Sequence, residues 1–425
     1  MKFSDLSVEA LNEQNESLSK QYQQYAEARL NLDLTRGKPA PEQLDLANDL
    51  DGILNGLYIL QDGTDVRNYG GLLGIPEARA LGGEILGIPA DHILVGGNSS
   101  LTLMYMYVAS MMQECWLQEA NESNSEVKFL CPVPGYDRHF TICEHFNIEM
   151  INIEMTSTGP DMDHIESLIK QDPMIKGIWC VPKYSNPTGV TYNDETVQRM
   201  ARLPRLAGEE FRIMWDNAYA VHHLSDDPDR LLSLADLSLQ EDTTDNVIMV
   251  ASTSKITFAG SGISFIGMSD SGLSRLEKFL SASTIGSDKV NQLRHARFLQ
   301  NPNDIQEHMK KHRAIIQPKF ELVERTLTEH LAGKDIASWT HPSGGYFVSL
   351  DTQPGLATTV IELAGEIGVK LTPAGATFPY GKDPEDSNIR IAPTYPSLDS
   401  LKQALEVFVV CLQLATVQQL INQNV

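Results

Sequence analysis

The sequence predicts an α/β fold: a large domain on a mostly parallel sheet covered by helices, followed by a smaller α+β domain. Two observations predict it. From Val127 onward, six short apolar runs bounded by Pro, Gly, Asn, Asp or Ser alternate with polar amphipathic segments. One long helical stretch, 303–331, then separates these runs from a second set of strand-like segments. The 425 residues suit about two to three structural units. With 42% apolar and 21% charged residues, the chain can bury a sizeable core.

In chain order, residues 5–30 carry Leu6, Val8, Leu11, Leu18, Tyr22, Tyr25 and Leu30 at helical intervals, which reads as an amphipathic arm. Thr35-Arg36-Gly37-Lys38-Pro39 breaks that pattern. It is either a plain connector or an anion-lining loop, because its glycine allows close approach between two cations. Arg67-Asn68-Tyr69-Gly70-Gly71-Leu72-Leu73-Gly74 forms a glycine-rich loop ahead of a helix starting near Pro76. Gly96-Gly97-Asn98-Ser99-Ser100 precedes a strongly apolar helix. Asn98 or Ser99 can serve there as a simple N-cap, or the free N–H groups can hold a phosphate.

The six runs are Val127–Val133, Ile148–Ile153, Ile175–Val181, Phe211–Trp215, Val247–Ala251 and Ile263–Met268. Segments such as Asp163–Gln171 and Asp194–Leu203 are the covering helices, giving the parallel-sheet signature. The 303–331 helix contains Pro318, expected to kink or break it. Ile336–Trp339, Tyr346–Leu350, Val369–Leu371 and Ile389–Ala392 read as strands of the smaller unit, and a last helix starts near Ser397. The acidic stretches Asp226–Asp229 and Glu241–Asp245 read as solvated loops.

The net charge of −23 disfavours nucleic acid and anionic membranes as partners. Five scattered cysteines without a C-x-x-C pair argue against a disulfide framework or a metal site, and for a reducing, cytoplasmic setting. The N-terminus has no apolar signal core. The stretch Val407 to Val417 reads as too short and too polar to cross a bilayer.

Chemistry-bearing residues stand where the apolar runs end. Pro134-Gly135-Tyr136-Asp137-Arg138-His139 follows the first run, and Ser185-Asn186-Pro187-Thr188-Gly189 follows the third. Asp216-Asn217-Ala218-Tyr219 follows Trp215, and Ser252-Thr253-Ser254-Lys255 follows Ala251. Open α/β sheets bind ligands at such strand ends. A lysine desolvated there becomes a nucleophile, although Ser-x-Ser-Lys alone equally fits an exposed loop. An acid after a buried tryptophan is costly unless paired. A protonated heteroaromatic nitrogen is one such partner. An aromatic to stack on the ring, an amide and a phenol for its oxygen, an acid for its nitrogen and a lysine for its aldehyde together match a pyridinium aldehyde.

The ordered set Asn186-Pro187-Thr188-Gly189, Asp216-x-x-Tyr219 and Ser252-x-Ser254-Lys255 resembles the fold-type I pyridoxal-phosphate aminotransferases. Within them it is similar to a divergent bacterial aspartate aminotransferase-like subgroup. The likeness runs from the Thr35–Pro39 loop to Asn388-Ile389-Arg390-Ile391. It implies the pyridoxal-phosphate transferase fold with a seven-stranded sheet. The implied organisation is an N-terminal arm at 1–48 packed with the small domain, a large cofactor-binding domain at 49–310 and a small domain at 311–425. Residue by residue it implies Lys255 as the cofactor-bearing lysine and proton shuttle, and Asp216 on the pyridine nitrogen. Asn186 and Tyr219 take the ring oxygen, Tyr136 stacks on the ring and His139 supports Asp216. Ser99, Ser100, Ser252 and Ser254 hold the phosphate, Arg390 the substrate α-carboxylate, and Gly37 lines the pocket. Tyr69 reaches the neighbouring subunit's site, which implies a homodimer with shared active sites. The implied reaction is ping-pong amino transfer from aspartate or glutamate to 2-oxoglutarate. A β-lyase or decarboxylase on the same scaffold is the alternative, and a non-catalytic regulator that kept the fold is another.

Two departures stand out. Ile263 occupies the position, eight residues after the lysine, where the family carries a phosphate-binding arginine; Ser254 and Ser261 are possible substitutes. No motif places the cation that reads a dicarboxylate side chain, for which Arg36, Lys38, Arg67, Arg294 and Arg297 are candidates.

Overall fold

The computed structural model describes residues 2–28, 30–35, 37–208 and 210–424. Arg36, one of the cations singled out above, lies outside them. In chain order the strands are β1 Leu32–Asp33, β2 Ile93–Gly96, β3 Lys128–Val133, β4 Glu149–Thr156, β5 Gly159–Pro160, β6 Ile175–Cys180 and β7 Arg212–Asp216. They continue with β8 Val247–Ser252, β9 Ser264–Gly267, β10 Ala337–Trp339, β11 Val348–Thr352, β12 Val369–Lys370 and β13 Asn388–Ile391.

The large sheet runs β2-β9-β8-β7-β6-β3-β4-β5. The pairs from β4 through β3, β6 and β7 to β8 are parallel, while β9 runs antiparallel to both β8 and β2. Each of the six apolar runs forms a strand. The sheet has eight strands, not the implied seven. The added edge is β5, where Gly159 at φ 127° turns the chain back so that Met155 faces Pro160. Proline is tolerated there because an edge strand leaves one side unpaired. β2 is absent from the six runs because Ile93-Leu94-Val95 is only three apolar residues before two glycines.

The pleat sorts side chains onto two faces. Ile213, Trp215, Met249 and Ala251 pack under the helices Pro76–Leu86, Met162–Gln171 and Asp194–Arg202. Met214, Ile248 and Val250 pack under Ser100–Met111, Asp137–His145 and Asp270–Leu280. Asp216 and Ser252, two residues beyond Met214 and Val250, therefore fall on this second face. β4 and β6 flank β3 on opposite sides, so the connections diverge at its C-terminal end, where such sheets open a crevice.

The smaller unit is an antiparallel sheet, β10-β11-β13, and β1 pairs with β12 apart from it. Its core joins Leu350, Ile389 and Val360 to Leu11 and Leu18 of the N-terminal helix Val8–Glu27. The helix Pro302–Leu331 continues through Pro318 without a break. The last helix, Leu398–Gln423, corrects the reading of its apolar stretch: by length and composition it could cross a membrane. Instead its residues from Leu401 to Val417 include fourteen buried in this core, against the arm, the long helix and Ala357–Ile367. The acidic stretches lie at the surface as expected: Asp226 stays exposed while pairing with Arg313, and Glu241 is partly covered, between Arg202 and Arg205.

The long helix turns His308 and His312 inward. Burial, and then His308 beside it, push His312 from 6.5 to about 4. Between those values the unfolded chain binds the proton and the folded chain does not. The stabilisation is thus complete above about pH 6.5 and is lost as pH falls toward 4, by on the order of 2 kcal/mol. Calorimetry should show the melting temperature falling from pH 7 to pH 4.5, with a shallower fall in His312→Gln.

Candidate active site

Asp216 ends β7 and Ser252 ends β8; the two strands are parallel neighbours, in register Asp216 opposite Val250. The turn after Ser252 returns Lys255 toward Asp216. Burial lowers the lysine's pKa, and the negative Asp216 nearby pulls it part of the way back. The Lys255 amine lies 5.2 Å from the Tyr219 ring centre and 5.9 Å from that of Tyr346. A buried aromatic wall thus limits where its flexible stem can go. Burial also raises the Tyr219 phenol, so it stays protonated and able to donate.

Asp216 is 2% exposed. His139 Nε2 donates to its Oδ2 at 3.1 Å, while its Oδ1 has no hydrogen-bond partner. His139 comes from the helix that Tyr136 opens, and it stacks on Trp179 at 4.4 Å between ring centres. Tyr136 meets it edge to face at 5.0 Å. Sequence neighbours at the β3 tip therefore contact the acid at the β7 tip. Leaving a carboxylate oxygen unpaired at this depth costs about 1–3 kcal/mol or more. A missing donor on that side is the natural explanation.

Arg390 lies in β13, with Ile389 and Ile391 on the other face of the strand. It is not an outward-facing residue of that strand, being 7% exposed. Its Nη1 donates to Asp137 Oδ1 at 3.2 Å and to Asn186 Oδ1 at 3.3 Å, while its Nε is buried without a partner. Asn186 Oδ1 is thereby occupied, which leaves its amide N–H groups for another acceptor. The guanidinium lies 4.9 Å from the Phe347 ring centre. A Cβ on Gly37 would sit 2.4 Å from that ring, so only glycine lets the Thr35–Pro39 loop approach.

At the other end of the cleft, Ser99 caps the helix Ser100–Met111 without a side-chain capping bond. Ser254 Oγ donates to the Asn98 carbonyl at 2.7 Å, and Ser252 Oγ to Ser254 Oγ at 3.1 Å. Serines from two strand ends thus meet the unsatisfied N–H groups of a twelve-residue helix, the arrangement that binds phosphate. Ile263 is buried, and its N–H donates to Thr253 Oγ1 at 3.0 Å. That position faces the core, not the cleft.

Tyr69 is 82% exposed, outside this cluster. Lys38 lies over the Tyr395 ring, Arg67 pairs with Asp65, and Arg297 donates to the Leu54 carbonyl. Arg294 is half-buried on the helix Lys289–Phe298. Sequence reasoning gave no role to Asp137, Tyr346 or Phe347. Asp137 stood inside the quoted β3 tip, where a carboxylate near a presumed substrate arginine was a usable signal. The two aromatics lie 91 residues from Lys255 and 43 residues from Arg390, the groups they face, with no local signal. Among the described residues no group of three or more His, Cys, Asp or Glu is placed to hold a metal.

Comparisons with known proteins agree with this geometry. The family described as "Aspartate amino-transferase" matches residues 6–424. A Mycolicibacterium smegmatis protein carrying an aminotransferase name is 46% identical over 429 residues, covering 100% of both chains. The aspartate aminotransferase of Corynebacterium glutamicum is 40% identical, over 98% of this chain and 97% of its own. A crystal structure of an aspartate transaminase from that organism superposes with a TM-score of 0.94 at 39% identity, covering 99% of each chain. Thermus thermophilus LysN, an α-aminoadipate aminotransferase solved with N-(5'-phosphopyridoxyl)-L-leucine, shares the fold at a TM-score of 0.74 and 20% identity, over 92% of this chain and 93% of its own.

Proposed function

The chain belongs to the aspartate aminotransferase family and is an aminotransferase; from that premise we propose that it moves an amino group from aspartate or glutamate to 2-oxoglutarate, by a ping-pong route, with pyridoxal 5'-phosphate. The single observation that carries this reading is the buried, unpartnered Asp216 Oδ1 close to the Lys255 amine. A protonated ring nitrogen supplies the donor that oxygen lacks. When bound, pyridoxal phosphate supplies an aldehyde carbon and an electron-accepting ring.

The side chains divide the remaining work. Asp216, oriented by His139, holds a proton at the ring nitrogen. Tyr136 offers a stacking face, and Asn186 and Tyr219 donate to the ring oxygen. Ser99, Ser100, Ser252 and Ser254 hold the phosphate, with hydroxyls and the helix terminus in place of an arginine. Lys255, its amine deprotonated more readily through burial, would take the proton from the substrate Cα and carry it on Nζ. Arg390 holds the α-carboxylate against the Phe347 ring, and Gly37 leaves room for that ring.

A homodimer with shared sites is part of the proposal. Tyr69, Leu57 and Ile59 are exposed, at 82%, 62% and 54%, and Gly286 next to the exposed Ile285 lies against Gly70. Apolar exposure of this kind fits a surface covered by a second copy. All five cysteines are free, which supports a reducing, cytoplasmic setting.

The test is a panel of amino donors with 2-oxoglutarate, following the cofactor's absorbance and the oxo acid formed. Turnover should require the oxo acid and be fastest with aspartate or glutamate. Pyruvate and ammonia released without an oxo acid would instead mark a β-lyase. In the same panel Arg390→Ala should lower kcat/KM for every donor by about 10²–10³-fold, the worth of a buried charge-assisted pair. Loss confined to one donor would show that Arg390 reads the side chain instead.

A further inference from the structure

Four buried histidines surround the turn that carries Lys255, and the chemistry above uses none of them. His222 Nε2 donates to the Lys255 carbonyl at 3.2 Å. His308 and His312 Nε2 both donate to the Ile256 carbonyl, at 2.6 Å and 2.9 Å. His295 Nε2 meets Thr257 Oγ1 at 2.9 Å. All four are at most 5% exposed. They come from the loop after β7, the helix Lys289–Phe298 and the helix Pro302–Leu331.

The hydrogen bonds fix the tautomers. A carbonyl only accepts, so the Nε2 of His222, His308 and His312 each carry a proton. The 3.1 Å approach of His308 and His312 is thus two donors sharing one oxygen. His312 Nδ1 must then accept, and Gln43 Nε2 supplies its donor at 3.0 Å. Gln43 is fully buried, held by the Ala40 N–H on its Oε1 and donating also to Tyr346 Oη at 3.0 Å. Tyr346 is part of the wall facing the Lys255 amine.

One donor is enough to satisfy a buried carbonyl, and Ile256 has two. Added constraint at this one peptide has a chemical use. The lysine amine rides on four flexible carbons, so its position depends on where the fold holds its backbone as well as on the aromatic wall. Proton transfer at the substrate Cα tolerates little error, since a displacement of about 1 Å can cost on the order of 10²-fold in rate. We propose that His222, His308 and His312, with Gln43 behind His312, are positioning residues that lock the Lys255–Ile256 backbone so that the amine keeps its line to the substrate Cα. The inference rests on the reading of Lys255 given above.

The test uses the cofactor-loaded enzyme and the variants His312→Ala, His312→Gln and Gln43→Leu. Each is measured for kcat, KM, melting temperature and the pH titration midpoint of the bound cofactor's absorbance band. His312→Ala should lose about tenfold or more in kcat, with KM changed by less than about twofold. Its titration midpoint should move by about half a pH unit or more. His312→Gln places an amide N–H near the lost Nε2 position and should recover most of both losses. Gln43→Leu leaves every histidine in place, should shift both quantities the same way by less, and decides the matter if His312→Ala does not fold. Wild-type kcat and an unmoved midpoint in His312→Ala and Gln43→Leu, even with lower melting temperatures, would overturn the proposal and leave a purely structural cradle. If the wild type shows no cofactor band that Lys255→Ala abolishes, the parent reading fails instead.

Discussion

Replacing Lys255 with alanine should remove the cofactor's lysine-dependent absorbance band and lower turnover by at least about 10³-fold, the range of a lost nucleophile and proton carrier. The geometry leaves no understudy. The Lys255 amine faces Tyr219 and Tyr346, and burial holds both phenols well above the pH of any assay, so neither can accept a proton. His222 is near, but its Nε2 donates to the Lys255 carbonyl, and burial followed by the nearby Lys255 lowers its pKa well below the usual imidazole range, so its unpartnered Nδ1 is a poor base. Stability should change little, because the variant loses two aromatic contacts of about 0.5–1 kcal/mol each and, among the described residues, no ion pair within 4 Å involves Lys255. Full folding by circular dichroism with no turnover is therefore the expected pair of results. Retained turnover in a correctly folded variant would remove Lys255 from the reaction.

The parts of this architecture legible in the sequence share one physical trait: they are local. A strand buried on both faces must be continuously apolar, so six such runs became six strands. β2 escaped because its run is too short to stand out, and β5 because a two-residue edge made by a turned glycine leaves no pattern. Lysine, acid, amide and tyrosine were visible because each stands beside a buried run, where an unpaired polar group is costly. What joins them was not visible. The Phe347 ring under Arg390, Gln43 behind His312 and two histidines on one carbonyl bring together segments from 43 to 269 residues apart. His222, His308 and His312 carry no local signal, because only folding turns their nitrogens toward the lysine turn. Tyr69, with its ring in solvent, shows the opposite case, a residue whose sequence context was clearer than its place in a single chain.

Changing Asp216 to asparagine should separate activity from stability. The substitution keeps the shape, and its amide oxygen can still accept from His139. On the proposed function, the lost feature is the negative charge that would keep a proton on a pyridine nitrogen. A neutral ring withdraws electrons poorly, so the step that removes the Cα proton should slow most. We expect kcat to fall by about 10²–10³-fold, as when a preorganised charge is removed from an active site. KM should change little, because Arg390 and the serine cradle are untouched. The apoenzyme should respond in the opposite direction. In the folded chain Asp216 keeps one oxygen buried without a donor, and an uncharged amide is cheaper to bury than a carboxylate. The apo variant should therefore be as stable as the parent or more so, by about 1 kcal/mol. Adding cofactor should raise the melting temperature of the parent more than that of the variant, because only the parent gains a charged partner for Oδ1. Denaturation of both proteins with and without pyridoxal phosphate measures this directly. If the apo variant were markedly less stable while its kcat held, Asp216 would be a structural anchor for His139, and the vacant side of its carboxylate would need another explanation.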